Sequence, residues 1–155
     1  MREKAMVVQA NIVNFDCIKV GDELPTLHKT ETQETIDTYS RLIVNREPRA
    51  ISSLNLHTDQ EFANTGIFTG TVNYGVVTCA YMVELLQLAF PTQIVLKSSI
   101  NMRALEPIRA GDTIAFTGKV LDKRQEVGKR LVDVEVAGTN QLGQTVAAAK
   151  VTIPM

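Results

Sequence analysis

The sequence predicts an α+β domain in which an antiparallel sheet surrounds one apolar helix. Residues 73–90 form its least polar segment, and apolar side chains occur on every side of the helical wheel. A helix of this kind needs other elements around it, so we predict that it lies inside a sheet. From Gln93 onward, apolar and polar residues alternate instead. Helical segments followed by a series of strands are typical of the α+β class.

The length and the charge limit what the chain can be. A chain of 155 residues suits one domain with a single core, and we predict a single domain over residues 1–155. Its 16 basic and 17 acidic side chains leave a net charge of -1. No long-range field then attracts nucleic acid or an anionic membrane. A neutral or locally charged ligand is therefore expected.

The cysteines and the apolar segment bear on location. Cys17 and Cys79 show no metal-ligand spacing, so neither a disulfide framework nor a metal site is indicated, and a reducing cytoplasm fits best. The N-terminus lacks the apolar run of a signal peptide. Residues 74–90 are fewer than the roughly 20 that a membrane-spanning helix needs, and Glu84 and Gln87 interrupt them. A soluble protein is expected.

The first elements are extended. Residues 7–13 are apolar and β-branched, which is typical of an edge strand or an arm. Residues 20–22 form a turn that leads into residues 23–29. Pro25 interrupts that segment, so it is predicted to be extended at the edge of a sheet.

A first helix is predicted over residues 34–44. The pattern Thr30-Glu31-Thr32-Gln33 can form a capping box at its start. Ile36, Tyr39 and Ile43 follow at helical spacing, with Asp37 and Arg41 as an exposed i,i+4 pair. Pro48 ends this helix, because proline disfavours helical geometry in the residue before it.

A second, short helix is predicted to begin at Thr58, after a loop over residues 50–56. Thr58-Asp59-Gln60-Glu61 is another capping box, and its acidic residues suit the first turn of a helix. His57 stands just ahead of it. Glycines link this helix to the apolar one, for which Asn73 is the predicted N-cap and Pro91 lies just past the end.

Four half-buried strands follow, with turns at residues 107–111, 122–128 and 140–143. Because each alternates with a period of two, they predict an antiparallel meander with one dry face. The residues predicted to face the helix are Leu96, Ser98, Ile100 and Met102 in the first strand; Ile114, Phe116, Gly118 and Val120 in the second; Val132, Val134 and Val136 in the third; and Ala147, Ala149, Val151 and Ile153 in the last.

Several motifs together resemble the MaoC-like family of (R)-specific enoyl-CoA hydratases and acyl dehydratases, which has the hot-dog fold. The resemblance extends from Val20 to Pro154. Its motifs are Leu56-His57-Thr58-Asp59 followed by Glu61-Phe62-Ala63, the glycine-bearing start of the apolar helix at residues 70–75, residues 105–112 before a strand, and the hairpin Asn140-Gln141-Leu142-Gly143 before an alanine-rich last strand.

The resemblance also implies a catalytic motif. In the family it reads Asp, any residue, Asn, Pro, an aliphatic residue and His, and its Asp and His activate water for addition to an α,β-unsaturated thioester. The corresponding run here is Ser52-Ser53-Leu54-Asn55-Leu56-His57. His57 matches the family's histidine, whereas Ser52 stands where the family has its aspartate. A positioned acid or base contributes on the order of 10²–10⁴ in rate.

The resemblance implies a lyase of fatty acid metabolism that hydrates 2-enoyl-CoA reversibly to 3-hydroxyacyl-CoA. His57 would act as acid and base, and Asn55 or Ser52 would orient it or hold the water. Backbone N–H groups at Gly75 would polarise the thioester carbonyl, with Tyr74 and Asn73 beside them. No cofactor is implied beyond the coenzyme A or acyl carrier protein of the substrate. A homodimer or higher homo-oligomer is implied as well.

Other interpretations stay open at the level of sequence. The chain can instead be an acyl-CoA thioesterase or a non-catalytic acyl-thioester binder. His57 can be a polar residue ahead of a helix, and Asp59 and Glu61 are explained as helix-start residues. Glu84 is predicted to be paired or to lie at a subunit boundary, since an unpaired buried charge is costly. Three basic residues can meet coenzyme A phosphates but receive no role here: Lys97, Arg103 and Arg109.

Overall fold

The computed structural model describes residues 14–44 and 55–155. It contains a 3-10 turn at Phe15–Cys17, four α-helices and five strands. The helices are α1 (Gln33–Val44), α2 (Gln60–Thr65), α3 (Gly75–Ala89) and α4 (Thr92–Val95), and the strands are β1 (Leu27–Thr30), β2 (Ser99–Ala104), β3 (Thr113–Glu126), β4 (Lys129–Asn140) and β5 (Thr145–Pro154). The strand or arm predicted over residues 7–13 lies outside the described residues, as does most of the loop predicted over residues 50–56.

The five strands form one antiparallel sheet in the order β1-β3-β4-β5-β2. Strands β3, β4 and β5 form the predicted meander, but the prediction that β2 continues it is wrong, because β2 pairs with β5. The connection from β2 to β3 is too long for a hairpin. Its backbone is held at the start of β5, where Leu105 N donates to Val146 O at 2.9 Å. The extended segment predicted over residues 23–29 is confirmed, with β1 at the sheet edge beside β3.

The dry face of the sheet packs against α3, as predicted. Met82, Leu85 and Leu86 of this helix are fully buried. The period of two holds in β3, β4 and β5, whose inward residues are all buried: Ile114, Phe116, Gly118, Val120, Val132, Val134, Val136, Ala147, Ala149, Val151 and Ile153. The α+β class predicted from this pattern is confirmed.

The prediction that α3 is enclosed on every side is wrong for the isolated chain. Val76 is 57% exposed and Leu88 is 37% exposed, although both are apolar. The sheet curves over one face of the helix, so the opposite face stays open. Apolar residues on every side of the helical wheel therefore did not predict burial on every side of the helix.

Both predicted capping boxes are displaced along the chain. Thr30 belongs to β1, and the helix start is closed by Thr32 and Thr35, each of whose backbone N–H groups donates to the other's hydroxyl at 3.1 Å. In α2 the N-cap is Asp59, which accepts from Phe62 N at 3.0 Å. For α3 the N-cap position is Tyr74, so the assignment of Asn73 is wrong.

The boundaries of two strands also differ from the prediction. Residues 92–95 form α4, and β2 begins only at Ser99, which leaves Leu96 75% exposed. Strand β3 continues through Glu126, where a turn was predicted from Asp122. Its pairing with β4 shifts by one residue between Val120 and Asp122, which lets the strand bend without ending.

One of the two charged pairs considered from the sequence is formed, and it joins α3 to β1. The predicted pair of Asp37 and Arg41 is not formed, since Asp37 accepts from Gln33 and Arg41 donates to Thr38. Glu84 pairs with Lys29 of β1 at 2.7 Å, which confirms that it is a paired charge.

A buried carboxylate lies beside this pair. Glu31 is 1% exposed and accepts from the Tyr81 hydroxyl at 3.2 Å. Burial, and then the nearby Glu31 carboxylate, raises the pKa of Tyr81 to about 12. The tyrosine is therefore a hydrogen-bond donor at neutral pH, and it links α3 to the segment between β1 and α1.

Gly138 in β4 provides a test of core packing. It lies directly opposite Phe116, and a Cβ atom at this position would be 2.7 Å from Phe116 Cε1. Phe116 is fully buried and cannot move aside. We expect Gly138→Ala to lower the free energy of unfolding by about 1–3 kcal/mol in chemical denaturation.

Gly66→Ala is the matched control for this measurement. Its Cβ would be 3.6 Å from the nearest atom, Ala63 O, which is ordinary contact. We expect a change within about 0.5 kcal/mol there. Equal effects of the two substitutions would contradict the assignment of the Gly138 effect to the Phe116 ring.

Candidate active site

A cleft of about 350 Å³ opens at the N-terminal end of α3. One wall comes from the loop that carries His57 and from the residues before α3, and the other from the β2–β3 connection and the start of β5. Most of its lining is apolar. The lining residues are Leu56, His57, Phe68, Val72, Asn73, Gly75, Thr78, Ala104, Leu105, Glu106, Pro107, Ile108 and Val146.

The His57 imidazole is held on two sides. Its Nδ1 lies 2.7 Å from the carbonyl oxygen of Val72, and its ring stacks on Tyr74 with the ring centroids 3.6 Å apart. A carbonyl oxygen can only accept, so Nδ1 carries the proton of the neutral ring. Nε2 is then the unprotonated nitrogen that can accept a proton from a ligand.

Asn55 holds the loop in place through both halves of its amide. Its Oδ1 accepts from His57 N at 2.8 Å, and its Nδ2 donates to the Tyr74 hydroxyl at 3.2 Å. That hydroxyl in turn donates to Ser40 Oγ at 3.0 Å. Asn55 therefore positions the backbone of His57 and the ring on which the imidazole stacks.

The loop has its shape because a turn and a helix start follow each other. Asn55 O accepts from Asp59 N at 2.9 Å, and Asp59 then caps α2. From α1, Gln33 Nε2 donates to His57 O at 2.9 Å, and Gln33 Oε1 accepts from Thr71 Oγ1 at 2.9 Å. A single glutamine thus joins α1 to the histidine loop and to the segment that leads into α3.

Gly75 is the first residue of α3 and lines the cleft. The first N–H groups of a helix have no partner within it, and in the described ranges no carbonyl or side chain accepts from Gly75 N. The residue is exposed, and a Cβ atom here would meet nothing within 4 Å. Its N–H can therefore donate to a group in the cleft that carries negative charge.

The side-chain amide of Asn73 is buried without a hydrogen-bond partner. The residue is 8% exposed, and neither its Nδ2 nor its Oδ1 forms a hydrogen bond. Its backbone is fixed, because Asn73 N donates to Ile108 O at 2.8 Å. A buried polar group left unpaired costs about 1–3 kcal/mol. The unpaired Asn73 amide therefore lowers the stability of the cleft wall.

The structure brings together five of the six residues that the sequence indicated. His57, Asn73 and Gly75 line the cleft, while Tyr74 and Asn55 support the imidazole. Ser52 lies outside the described residues. The second histidine of the chain, His28, is exposed on β1.

Sequence reasoning missed other residues of this region. Thr78 lines the cleft one turn after Tyr74, and the i,i+4 spacing would have indicated it. Glu106 is the carboxylate-bearing residue of the lining, but no local pattern marked it. Arg109 donates to the carbonyl oxygens of Phe68 and Thr71, so its guanidinium braces the loop before α3.

Two further observations concern the described ranges as a whole. No group of three or more His, Cys, Asp or Glu side chains within residues 14–44 and 55–155 is arranged to hold a metal ion. None of the helices in those ranges combines the length and the apolar composition that crossing a bilayer requires.

Comparison with known proteins gives one family match. A family model described as MaoC like domain matches residues 19–143. Among proteins with curated descriptions, none matches the chain.

Solved structures share the whole architecture. A monoamine oxidase regulatory protein from Archaeoglobus fulgidus is 26% identical with a TM-score of 0.73, and the alignment covers 97% of this chain and 96% of that one. An (R)-hydratase from A. caviae, involved in PHA biosynthesis, is 19% identical with a TM-score of 0.68 over 88% of this chain and 96% of that one. A chain of the ChsH1-ChsH2 complex from Mycobacterium tuberculosis is 23% identical with a TM-score of 0.67, over 88% of this chain and 98% of that one. These similarities confirm the hot-dog fold.

The hydrogen bond to Val72 predicts which tautomer His57 adopts. We expect its neutral ring to carry the proton on Nδ1, in contrast to the exposed His28, where water solvates both nitrogens. Two-dimensional ¹⁵N–¹H NMR of labelled protein, at a pH where the rings are neutral, distinguishes the two forms. A protonated Nε2 in His57 would contradict the geometry.

Proposed function

This chain belongs to the MaoC-like domain family, and we propose that it catalyses the reversible hydration of a 2-enoyl thioester to a 3-hydroxyacyl thioester. The single observation that carries the proposal is the His57 imidazole, which lines the cleft with Nδ1 bonded to Val72 O and Nε2 left as a proton acceptor. The family's solved (R)-hydratase supports the reaction class. The proposed activity is that of a hydro-lyase.

In the forward direction His57 Nε2 takes a proton from water, and the water oxygen forms a bond to the β-carbon. The π electrons of the double bond move toward the thioester, whose oxygen gains negative charge. The N–H of Gly75 would donate to that oxygen. The imidazolium then returns the proton to the α-carbon. Dehydration follows the same steps in reverse.

The proposed site differs from the family motif at three positions, since Ser52, Leu54 and Asn55 stand where the motif has Asp, Asn and Pro. Ser52 replaces the aspartate, so His57 is the acid and base in both halves of the reaction. Asn55 does not replace the lost carboxylate, because both ends of its amide are occupied by His57 N and the Tyr74 hydroxyl. Asn55 and Tyr74 are therefore proposed as positioning residues, and Gly75 and Asn73 as substrate-binding residues.

The proposed substrate is an acyl thioester of coenzyme A or of acyl carrier protein. The apolar cleft lining, with Phe68, Val72 and Ile108 among its residues, suits an acyl chain. No cofactor is needed for the addition of water. We propose that the chain is a single-domain, cytoplasmic protein of fatty acid metabolism.

We also propose a homodimer. Strand β2 ends the sheet in the described part of the chain, and an open sheet edge can pair with another strand. The exposed Val76 and Leu88 on α3 add apolar surface that a second copy would cover.

Thioesterase activity and acyl-thioester binding without turnover are the alternatives. All three can be separated with one set of thioesters, by following the absorbance of the conjugated double bond together with the release of free thiol. Loss or gain of the double bond without thiol supports the hydratase. Thiol release supports the thioesterase, and binding alone supports the third.

His57→Ala tests the proposed acid and base. We expect it to lower kcat for crotonyl-CoA hydration by about 10²–10⁴, because a positioned general base contributes this much. His28→Ala is the control, since His28 is exposed on β1. Hydration by His57→Ala at the rate of the unsubstituted protein would refute the proposed role.

Gly75→Pro tests the backbone donor. Proline is favoured at the first position of a helix and Tyr74 has the extended geometry it requires, so the helix should tolerate it. The substitution replaces the hydrogen of the N–H with a ring carbon, and we expect kcat to fall by about 10²–10³. Gly75→Ala keeps the N–H and fills open space, so it controls for bulk. Equal rates for the two variants would exclude Gly75 N–H as the oxyanion donor.

A further inference from the structure

We infer that the side-chain amide of Asn73 binds a hydroxyl group in the cleft: the attacking water before addition and the 3-hydroxyl of the product after it. The inference rests on the proposed function for the class of ligand. In the family motif a carboxylate has this role. The inference gives it to Asn73, which lies outside the motif.

The first argument is the unpaired amide itself. Asn73 is 8% exposed and lines the cleft, yet neither Nδ2 nor Oδ1 has a partner. Nearly all buried polar groups in proteins are hydrogen-bonded, and exceptions call for an explanation such as a catalytic role or a bound water. A ligand in the cleft would supply the missing partners.

The second argument is the kind of partner that an amide needs. Nδ2 can only donate and Oδ1 can only accept. A thioester carbonyl satisfies the donor alone and leaves Oδ1 unpaired. A hydroxyl group or a water molecule can both accept and donate. It can therefore accept from Nδ2 or donate to Oδ1 of the amide. Among the groups that react in the proposed step, only water and the 3-hydroxyl have this property.

The third argument is position. Asn73 lies between the two residues that hold the imidazole, Val72 through its carbonyl and Tyr74 through its ring, and two residues before Gly75. Its own backbone is anchored to Ile108 O on the opposite wall. The other amides nearby are occupied, Asn55 by His57 N and Tyr74, and Gln33 by His57 O and Thr71. Asn73 is therefore the amide of this site with both polar atoms unpaired.

The chemical consequence is a division of labour. A side-chain amide does not ionise at neutral pH and so cannot serve as acid or base, which leaves Asn73 to orient the water oxygen while His57 Nε2 takes the proton. The bond formed joins the water oxygen to the β-carbon, and the proton passes through His57 to the α-carbon. No carboxylate is required in this scheme, which accounts for Ser52 at the aspartate position.

The experiment compares a ligand that lacks the 3-hydroxyl group with ligands that carry it. Butyryl-CoA and each enantiomer of 3-hydroxybutyryl-CoA are titrated into the protein by isothermal calorimetry. We expect the better-bound enantiomer to bind about tenfold more tightly than butyryl-CoA, as one well-made hydrogen bond in a buried site allows. In Asn73→Leu, which keeps the shape of the side chain, we expect this preference to disappear.

Asn64→Leu is the matched control. Asn64 is exposed on α2 and lies outside the cleft lining, so the same substitution there should keep the preference. Asn73→Ala is a second variant in case leucine does not fit. Because the amide is unpaired, replacing it with an apolar side chain of the same shape should keep or raise the Tm.

The outcomes separate this inference from the proposed function. Equal binding of the two ligands by the unsubstituted protein, or a preference that survives in both Asn73 variants, would overturn the inference and leave the hydratase proposal standing. A loss of Tm in Asn73→Leu together with an unchanged preference would identify the amide as structural. Failure of every thioester to bind would overturn both.

Discussion

The hydrogen bond between His57 Nδ1 and Val72 O is the interaction on which the candidate site depends. It joins the loop before α2 to the extended segment before α3, and it selects the tautomer that leaves Nε2 as an acceptor. Stacking on Tyr74 and the Asn55 amide hold the same ring and its backbone from other sides. Because two of these contacts come from residues 72–74, a displacement of that segment would change both the direction of the imidazole and its tautomer.

The sheet supports this arrangement from a distance. Strands β3, β4 and β5 bury the inner face of α3. This packing holds the first turn of the helix, with Gly75, in a fixed position. The β2–β3 connection then crosses to the helix start and binds Asn73 N through Ile108 O. The cleft is thus the gap between the N-terminal end of α3 and the long β2–β3 connection. A short hairpin between these two strands would not have reached the helix. The unpaired Asn73 amide shows that this end carries a stability cost, which a ligand could offset.

Elements with a strong local pattern were predictable, and contacts between distant segments were not. The period of two in β3, β4 and β5 identified their inward residues, because a half-buried strand leaves a direct mark on the sequence. The caps of α1 and α2 were displaced by one or two residues, since several neighbouring Thr and Asp side chains compete for the same N–H groups. The pairing of β2 with β5 had no sequence signal, because alternation shows which face is buried and does not identify the neighbouring strand.

The sequence by itself determined the α+β class, the central apolar helix, a histidine just before the short helix and a glycine at the start of the apolar one, because hydrophobic periodicity and capping residues act over a few positions. Tertiary structure alone decided what these residues meet. It placed Val72 O against the imidazole, occupied the Asn55 amide, left the Asn73 amide without a partner, and exposed one apolar face of α3. Each depends on the separation of atoms far apart in the chain, which only the packing of the sheet, the helix and the long connection can set.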